Sequence, residues 1–372
     1  MAINNSTTPQ AHIPSDEIDL RELFGALWQG KWTIIIITAL FSIGAVCYAL
    51  FSQQWWSSKA KITPPQVQDI AAYQQQVKQF QPVFDVYQDD GTVLVSRELD
   101  ELINTQVLFK RFIDAFNSSD NKRSFLDASE DFQSFKSKLD VDNAVSSDEQ
   151  KDASRRLYAG WFNKITASAE DKRDNFSPYN VSFQSTTKES SFVLLNNYIQ
   201  LITQQAHQEA LNNLEVIIAA KRNELLQQKR ILTSQAKNRL RVEIERSQYA
   251  LDVAKAAGVE RPIQTNNDKE LFSIDLGTKG LAAKVSALES IKNLSVIEPR
   301  LQQIDAKLEM LEHLKVDRAI QFQTFRFVEN VEQSLSRDKP KRALIAVLGT
   351  LLGGMLGVAI VLVRFAFRRE ED

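Results

Sequence analysis

The stretch LNNLEVIIAAKRNELLQQKRILTSQAKNRL, residues 211–240, contains neither glycine nor proline. It forms the middle of a longer segment, between Pro178 and Gly258, that is also free of both residues. Such a segment predicts one continuous helix from about 187 to 257, roughly 105 Å long at 1.5 Å per residue. A compact domain of this size cannot bury so long a helix, so its apolar positions need partners elsewhere.

Both ends of this predicted helix carry boundary signals. Thr186 with Glu189 fits a capping box, in which a hydroxyl and a carboxylate each accept a hydrogen bond from a free backbone N–H. Gly258 is typical of the residue that follows a helix in the left-handed conformation, and Pro262 prevents the helix from continuing. The signals therefore agree with the composition on where the helix begins and ends.

A second helical segment is predicted to return along the first. Its apolar residues repeat at four-three spacing, as in the seam of a coiled coil, and Pro299 is expected to kink or break it. The loop between the segments, 258–280, is too long for a tight turn. Together they form a predicted helical arm over 187–315. The residues expected to pack this arm, or to contact other subunits, are Leu211, Leu214, Ile218, Ile297, Leu301, Ile304, Leu308 and Leu311.

Two apolar stretches lie near the ends of the chain, at 32–51 and 343–363. Each is about as long as an α-helix must be to cross roughly 30 Å of hydrocarbon. Trp28, Lys31 and Trp32 are typical of the residues that anchor a chain where it enters a bilayer. The sequence thus predicts two membrane spans, with both termini on one side and about 290 residues on the other.

The second span contains a stripe of small residues. Gly349, Gly353 and Gly357 recur every four residues, a spacing that places them on one face of a helix and lets another membrane helix approach closely. Three partners stay open: the first span, a neighbouring subunit and another protein. Pro340 stands just before this span, either as a helix-start proline or as part of a membrane-proximal motif.

A near-match to a phosphate-binding loop precedes the first span. Gly25, Gly30 and Lys31 have the spacing G-x-x-x-x-G-K, but Trp32 stands where the hydroxyl that binds Mg²⁺ is required. We interpret the match as chance. No histidine has a metal-ligand spacing and no hydrolase motif occurs, so we predict a protein without catalytic activity, metal or cofactor. The net charge of -2 argues against nucleic acid as a partner.

Short strands are predicted near both spans, at 59–62, 162–169, 179–184 and 320–328. The predicted fold class is α+β, with two transmembrane helices flanking a domain that has a membrane-proximal α/β base and a long helical hairpin. The predicted segments are an N-terminal segment (1–31), the first span (32–51), the base (52–186), the arm (187–315), a returning strand and linker (316–339), the second span (343–363) and a tail (364–372).

Four segments of the chain carry a resemblance to a known family: IDLRELFGALWQGKWTI (18–34), KITPP (61–65), ALDVAKAAGVERP (250–262) and PKRALIAVLGTLLGGMLG (340–357). In this order they resemble the Wzz-type chain-length determinants, the polysaccharide co-polymerases of Gram-negative inner membranes. The loop FSIDLGTKG, residues 272–280, is most similar to the subgroup associated with very long O-antigen chains.

The resemblance implies that the central segment is periplasmic, a point that the Lys and Arg residues beside the spans leave open. It also implies closed rings of identical subunits that work with the Wzy polymerase, which extends O-antigen on an undecaprenyl pyrophosphate carrier. Such a protein sets the modal length of the polymer without forming bonds itself. Pro340, Gly349 and Gly353 match the family's proline-then-glycine pattern, although the family often has several prolines before the span.

Other two-span proteins fit the sequence less well. A capsule-type tyrosine autokinase needs an ATP-binding domain, and we do not expect a fused one in the nine residues after the second span. A membrane sensor needs an output domain, for which the N-terminal segment is too short. The alternative that stays open is an inner-membrane scaffold or adaptor of a secretion or export complex, although such adaptors usually have one span.

Overall fold

The computed structural model describes residues 20–88, 90–138, 147–174, 177–263 and 272–369. Parts of the predicted N-terminal segment, of the loop 258–280 and of the tail lie outside these residues. The chain divides into two compact units. We call the described parts of Met1–Lys59, Ser182–Leu195 and Val331–Asp372 the terminal unit, and those of Ala60–Val181 and Asn196–Asn330 the central unit.

Most of the described residues are helical. Two short 3₁₀ turns, Val67–Ile70 and Leu294–Val296, add to the α-helices. The α-helices are α1 (Leu20–Gln29), α2 (Lys31–Phe51), α3 (Ala71–Lys78), α4 (Gln81–Phe84), α5 (Thr105–Asn117), α6 (Ser119–Ala128), α7 (Glu130–Lys138), α8 (Ser147–Phe162), α9 (Lys188–Ala256), α10 (Gly277–Glu289), α11 (Arg300–His313) and α12 (Arg342–Arg369).

In the described part of the chain, the strands form one four-stranded sheet and one hairpin. In the sheet the strand order is β4-β5-β1-β6, and the hairpin pairs β2 with β3 in antiparallel fashion. Three of the four sheet strands lie close to their predicted positions. The strands are β1 (Trp56–Thr63), β2 (Val86–Tyr87), β3 (Val93–Leu94), β4 (Ile165–Ala169), β5 (Tyr179–Ser185) and β6 (Arg326–Glu332).

The predicted long helix is present as α9, with 69 residues and ends one residue inside the predicted ones. Its N-terminal cap differs from the prediction: the hydroxyl of Thr187, not of Thr186, accepts a hydrogen bond from the backbone N–H of Ser190. At the other end Gly258 has a φ of 68°. There the N–H of Val259 donates to the carbonyl of Ala254 at 3.0 Å, the bond that defines a Schellman stop.

The returning segment is interrupted, as the proline predicted. It consists of α10, the second 3₁₀ turn and α11, and Pro299 is the residue from which α11 starts. Proline suits a helix start because its missing N–H has no intrahelical partner there in any case. Ile297 lies before the break and outside any helix, whereas Leu301, Ile304, Leu308 and Leu311 lie after it, all in α11.

The predicted strand at 320–328 is wrong in its position, because β6 covers Arg326–Glu332. Phe322, Thr324 and Phe325 are buried although no strand includes them. These side chains are therefore buried in a segment whose backbone belongs to no strand.

The core of the central unit joins residues that are far apart in the chain. Tyr73 stacks on Phe322 with their ring centroids 4.5 Å apart, and the Tyr73 hydroxyl donates to the carbonyl of Ala210 at 3.1 Å. Burial raises the pKa of Tyr73 to about 12. Other members of this core are Ile70, Val77, Phe80, Val83, Phe84, Leu99, Leu102 and Leu108.

The predicted α+β fold class is confirmed: the chain is mostly helical, with a small sheet, one very long helix and an apolar helix near each end. Two helices of the described residues, Lys31–Phe51 and Arg342–Phe367, are long and apolar enough to cross a bilayer. They correspond to the two predicted spans.

Candidate functional site: the paired spans and a cleft on the helical arm

Within the terminal unit, α12 packs along α2, and the glycine stripe lies between them. A Cβ atom placed on Gly353 would lie 2.7 Å from Cβ of Phe41 and 3.0 Å from Cα of Thr38. One placed on Gly357 would lie 3.0 Å from Cα of Ile34. These separations are shorter than van der Waals contact, so only a residue without a side chain lets the helices approach this closely.

The third glycine of the stripe, Gly349, faces Ala45 in the same way. The sequence leaves three partners open for this stripe. In the structure, the first span of the same chain lies against all three glycines. Gly354 lies beside the stripe and is less closely packed. A Cβ atom placed on it would lie 3.8 Å from the hydroxyl oxygen of Thr38, an ordinary contact distance.

Polar groups reinforce this pairing at two levels. The hydroxyl oxygens of Thr350 and Ser42 lie 3.1 Å apart, midway along the helices. Nearer the end of α2, Nε of Arg342 donates to the carbonyl of Ala49 at 3.2 Å. A cation beside the last carbonyls of a helix satisfies an acceptor that has no intrahelical partner and complements the helix dipole.

Pro340 lies two residues before α12, after a cis peptide bond with Lys339. The residues before it pair with the segment that follows α2: the N–H of Trp55 donates to the carbonyl of Lys339 at 3.0 Å, and the N–H of Asp338 donates to the carbonyl of Trp55 at 2.9 Å. A carboxylate oxygen of Asp338 also accepts from the side chain of Gln184 at 3.0 Å. The structure thus places Pro340 at a bridge between the segments that adjoin the two spans.

The residues predicted for the arm lie in the central unit and mostly face its interior. Ile218 and Leu308 pack partly buried against the core described above, and Ile297 is half-buried. Ile218 and Leu308 therefore contact other parts of the same chain. The remaining five are buried: Leu211, Leu214, Leu301, Ile304 and Leu311.

A buried carboxylate links α9 to the start of α11. The side chain of Glu298 is 4% exposed and lies 2.9 Å from the guanidinium of Arg239 and 2.5 Å from that of Arg300. The hydrogen bond from Arg300, with the positive charges of both arginines, lowers the pKa of Glu298 below its usual value. The carboxylate therefore stays charged where it is buried.

His207, on α9, packs against an aromatic ring of the core. Its ring stacks on that of Phe322 with the centroids 4.1 Å apart, and burial lowers its pKa. The backbone carbonyls of Ile320 and Phe322 act in the opposite direction but do not outweigh burial. Within the described part of the chain, no three His, Cys, Asp or Glu side chains are grouped to hold a metal ion.

A cleft of about 860 Å³ lies beside the arm, within the central unit. Residues of α9, of α11 and of the β2–β3 hairpin line it, among them Tyr87, Gln235 and Gln303. The strands predicted from the sequence do not include this hairpin. Asp90 followed by Gly91, between Val86–Tyr87 and Val93–Leu94, is a recognisable hairpin signal, and Gly91 has the positive φ of 85° that such a turn requires.

Two family models match this chain. The Wzz model, described as chain length determinant protein, matches residues 16–105, and the G-rich domain model GNVR, named from tyrosine kinases, matches residues 300–366. The two matched segments contain the two spans. Each span is thus matched together with the part of the central region that adjoins it.

The chain is also similar to complete curated proteins. It is 29% identical to the chain length determinant protein of Shigella dysenteriae, over 98% of this chain and 97% of the relative. It is 27% identical to the ferric enterobactin transport protein FepE of Escherichia coli K12, over 98% of this chain and 93% of the relative. A solved structure described as a full-length bacterial polysaccharide co-polymerase is 26% identical, with a TM-score of 0.58, and the match covers 94% of this chain and 99% of that one.

Proposed function

Starting from the confirmed resemblance to Wzz chain length determinants, we propose that this chain regulates the length of O-antigen in lipopolysaccharide without catalysing a reaction. The observation that carries the proposal is the alignment with a chain length determinant over 98% of the chain, which includes both spans. In this proposal the protein lies in the inner membrane, with residues 52–339 in the periplasm and the segments 1–31 and 364–372 in the cytoplasm.

The proposed partners are further copies of the same chain and the Wzy polymerase. Identical subunits form a closed ring, and the ring sets the modal length of the glycan that the polymerase extends on its undecaprenyl carrier. The similarity to a full-length polysaccharide co-polymerase supports this assignment. A regulator of this kind needs surfaces that contact the polymerase and the polymer, but no groups that make or break glycosidic bonds.

The test is genetic. The gene is deleted from a strain that carries O-antigen genes and is then restored, and the lipopolysaccharide is separated on a gel. Restoration is expected to convert an unclustered ladder of chain lengths into one with a distinct cluster of bands. Identical ladders with and without the protein would contradict an O-antigen role, and the same comparison on enterobacterial common antigen and capsule identifies a different glycan.

A second candidate is a scaffold or adaptor in transport or export, because one relative of similar coverage is named as a ferric enterobactin transport protein. Growth of the deletion strain with ferric enterobactin as the only iron source separates the two candidates. Under the chain-length proposal, growth is unchanged and only the ladder responds. A growth defect with an unchanged ladder would favour the transport candidate.

A further inference from the structure

Two hydrogen bonds position the hairpin that lines one side of the cleft beside the arm. The carbonyl of Asp85 accepts a hydrogen bond from Nζ of Lys307 on α11, and the carboxylate of Asp85 accepts from the N–H of Ser96 at 3.0 Å. The first bond holds the start of the β2–β3 hairpin beside α11, and the second joins the two residues that flank the hairpin strands. The volume of about 860 Å³ lies within the range of about 300–1,000 Å³ that is usual for sites that bind small molecules.

The charged side chains of the cleft are already paired. Lys221 lies 2.9 Å from a carboxylate oxygen of Glu224, and Arg300 is paired with Glu298. The ammonium group of Lys307 donates a hydrogen bond to the carbonyl of Asp85, which directly precedes β2. Because these cations have partners within the chain, the described residues that line the cleft offer no free positive group to a phosphate or carboxylate. A charged ligand would have to displace an existing pair.

The groups left available are neutral. The side-chain amides of Gln88, Gln235 and Gln303 form no hydrogen bond with the described part of the chain, and each can donate and accept. The ring of Tyr87 is 41% exposed at the same cleft. Apolar side chains, among them Leu232, complete the lining. Amides beside an exposed aromatic ring match a ligand that has hydroxyl groups on its edges and C–H groups on its faces.

We propose that this cleft binds a short segment of neutral glycan, with hydroxyl groups hydrogen-bonded to Gln235 and Gln303 and a sugar face against the ring of Tyr87. This inference rests on the proposed function, since it assigns the contact with the polymer to a definite surface. It places that contact on the helical arm, where α9 and α11 run side by side.

The binding test uses the full chain in detergent micelles and isothermal titration calorimetry. The probe is the set of oligosaccharides of one to three repeat units, released by mild acid from the lipopolysaccharide of the same bacterium. The original chain is expected to bind it, and Gln303→Ala and Tyr87→Ala are each expected to weaken binding about five-fold or more, the effect of losing one good contact.

The matched control is Gln302→Ala, which removes an exposed amide from the same helix without touching the cleft. It is expected to bind as the original chain does, and equal melting temperatures show that all variants are folded. Absence of binding by the original chain, or equal weakening by Gln302→Ala, would overturn the proposal.

A second copy of the chain is the competing occupant. Gln303→Cys on a Cys47→Ser background introduces a single cysteine into the cleft, because Cys47 is the only natural one. Under the glycan proposal the probe slows its modification by maleimide, and a bifunctional maleimide yields no linked dimer. Efficient linking of two chains would overturn the proposal. If binding fails while the gel ladder still depends on the protein, the inference fails and the proposed function stands.

Discussion

At the scale of single residues, Gly353 sets the distance between the two spans. Gly353→Ala is expected to destabilise the helix pair by about 1–3 kcal/mol, because its methyl group would meet the backbone of α2 at Thr38, which cannot rotate away. The measurement is the melting temperature of the purified protein in detergent, together with its amount in the membrane.

Gly354→Ala is the matched control. It adds the same methyl group one position away, where the nearest atom is 3.8 Å distant, and is expected to leave the melting temperature nearly unchanged. Equal losses for both variants would mean that the stripe does not determine the pairing. The sequence predicted that these glycines pack against a helix, but not which one, because small residues specify close approach rather than the identity of the partner.

Glu298 predicts a dependence of stability on pH. Its pKa is lower in the folded chain than its usual value of 4.5, because Arg300 and Arg239 hold the charged form. Its contribution to stability is therefore complete above about pH 4.5 and is lost as the pH falls through the folded-state pKa. Thermal melts of the original chain and of Glu298→Gln are expected to differ most near neutral pH and to converge in acid.

The control for this prediction is Glu309→Gln, an exposed position on α11, the helix that begins just after Glu298. It is expected to melt like the original chain at every pH. A difference between Glu298→Gln and the original chain that stays constant from neutral pH into acid would contradict the assigned role of the carboxylate.

At the scale of elements, α9 is stabilised by the side chains on one of its faces. Leu225 is 2% exposed and packs in the core with α11, whereas its neighbour Leu226 is 39% exposed. Leu225→Ala is expected to cost about 2–5 kcal/mol, since it removes buried methyl groups and leaves a cavity. Leu226→Ala should cost much less. Circular dichroism at 222 nm during thermal unfolding measures both, and similar losses would show that the arm is not packed on this face.

The sequence predicted elements well where composition and boundary residues agree. The absence of glycine and proline, ended by Gly258, located α9 to within one residue at each end. It predicted elements poorly where short segments are held by the core: Phe322 and Phe325 are buried without belonging to a strand. The cleft could not be predicted, because it depends on how a hairpin with strands of two residues each lies beside helices that are more than 100 residues away in the chain.

At the scale of the whole molecule, the proposed topology predicts which residues a membrane-impermeant maleimide reaches. On a Cys47→Ser background, Lys292→Cys in the central region is expected to react in intact cells whose outer membrane has been permeabilised. Gln29→Cys, just before the first span, is expected to react only after the cells are lysed. Both positions are exposed, so a difference between them reports the compartment. The reverse pattern of labelling would contradict the periplasmic assignment.

The close packing of α2 and α12 also determines what other proteins meet inside the bilayer. The glycine stripe is covered, so the outer faces of the pair present large flexible side chains such as Leu351 and Met355, which are 58% and 70% exposed. Side chains of this kind adapt to many shapes and favour none strongly. The two helices thus behave as one rigid pair whose internal contacts are fixed and whose outer faces are adaptable. Such a pair can associate with further copies of itself, or with a different protein, and dissociate again without disturbing the contacts between its two helices.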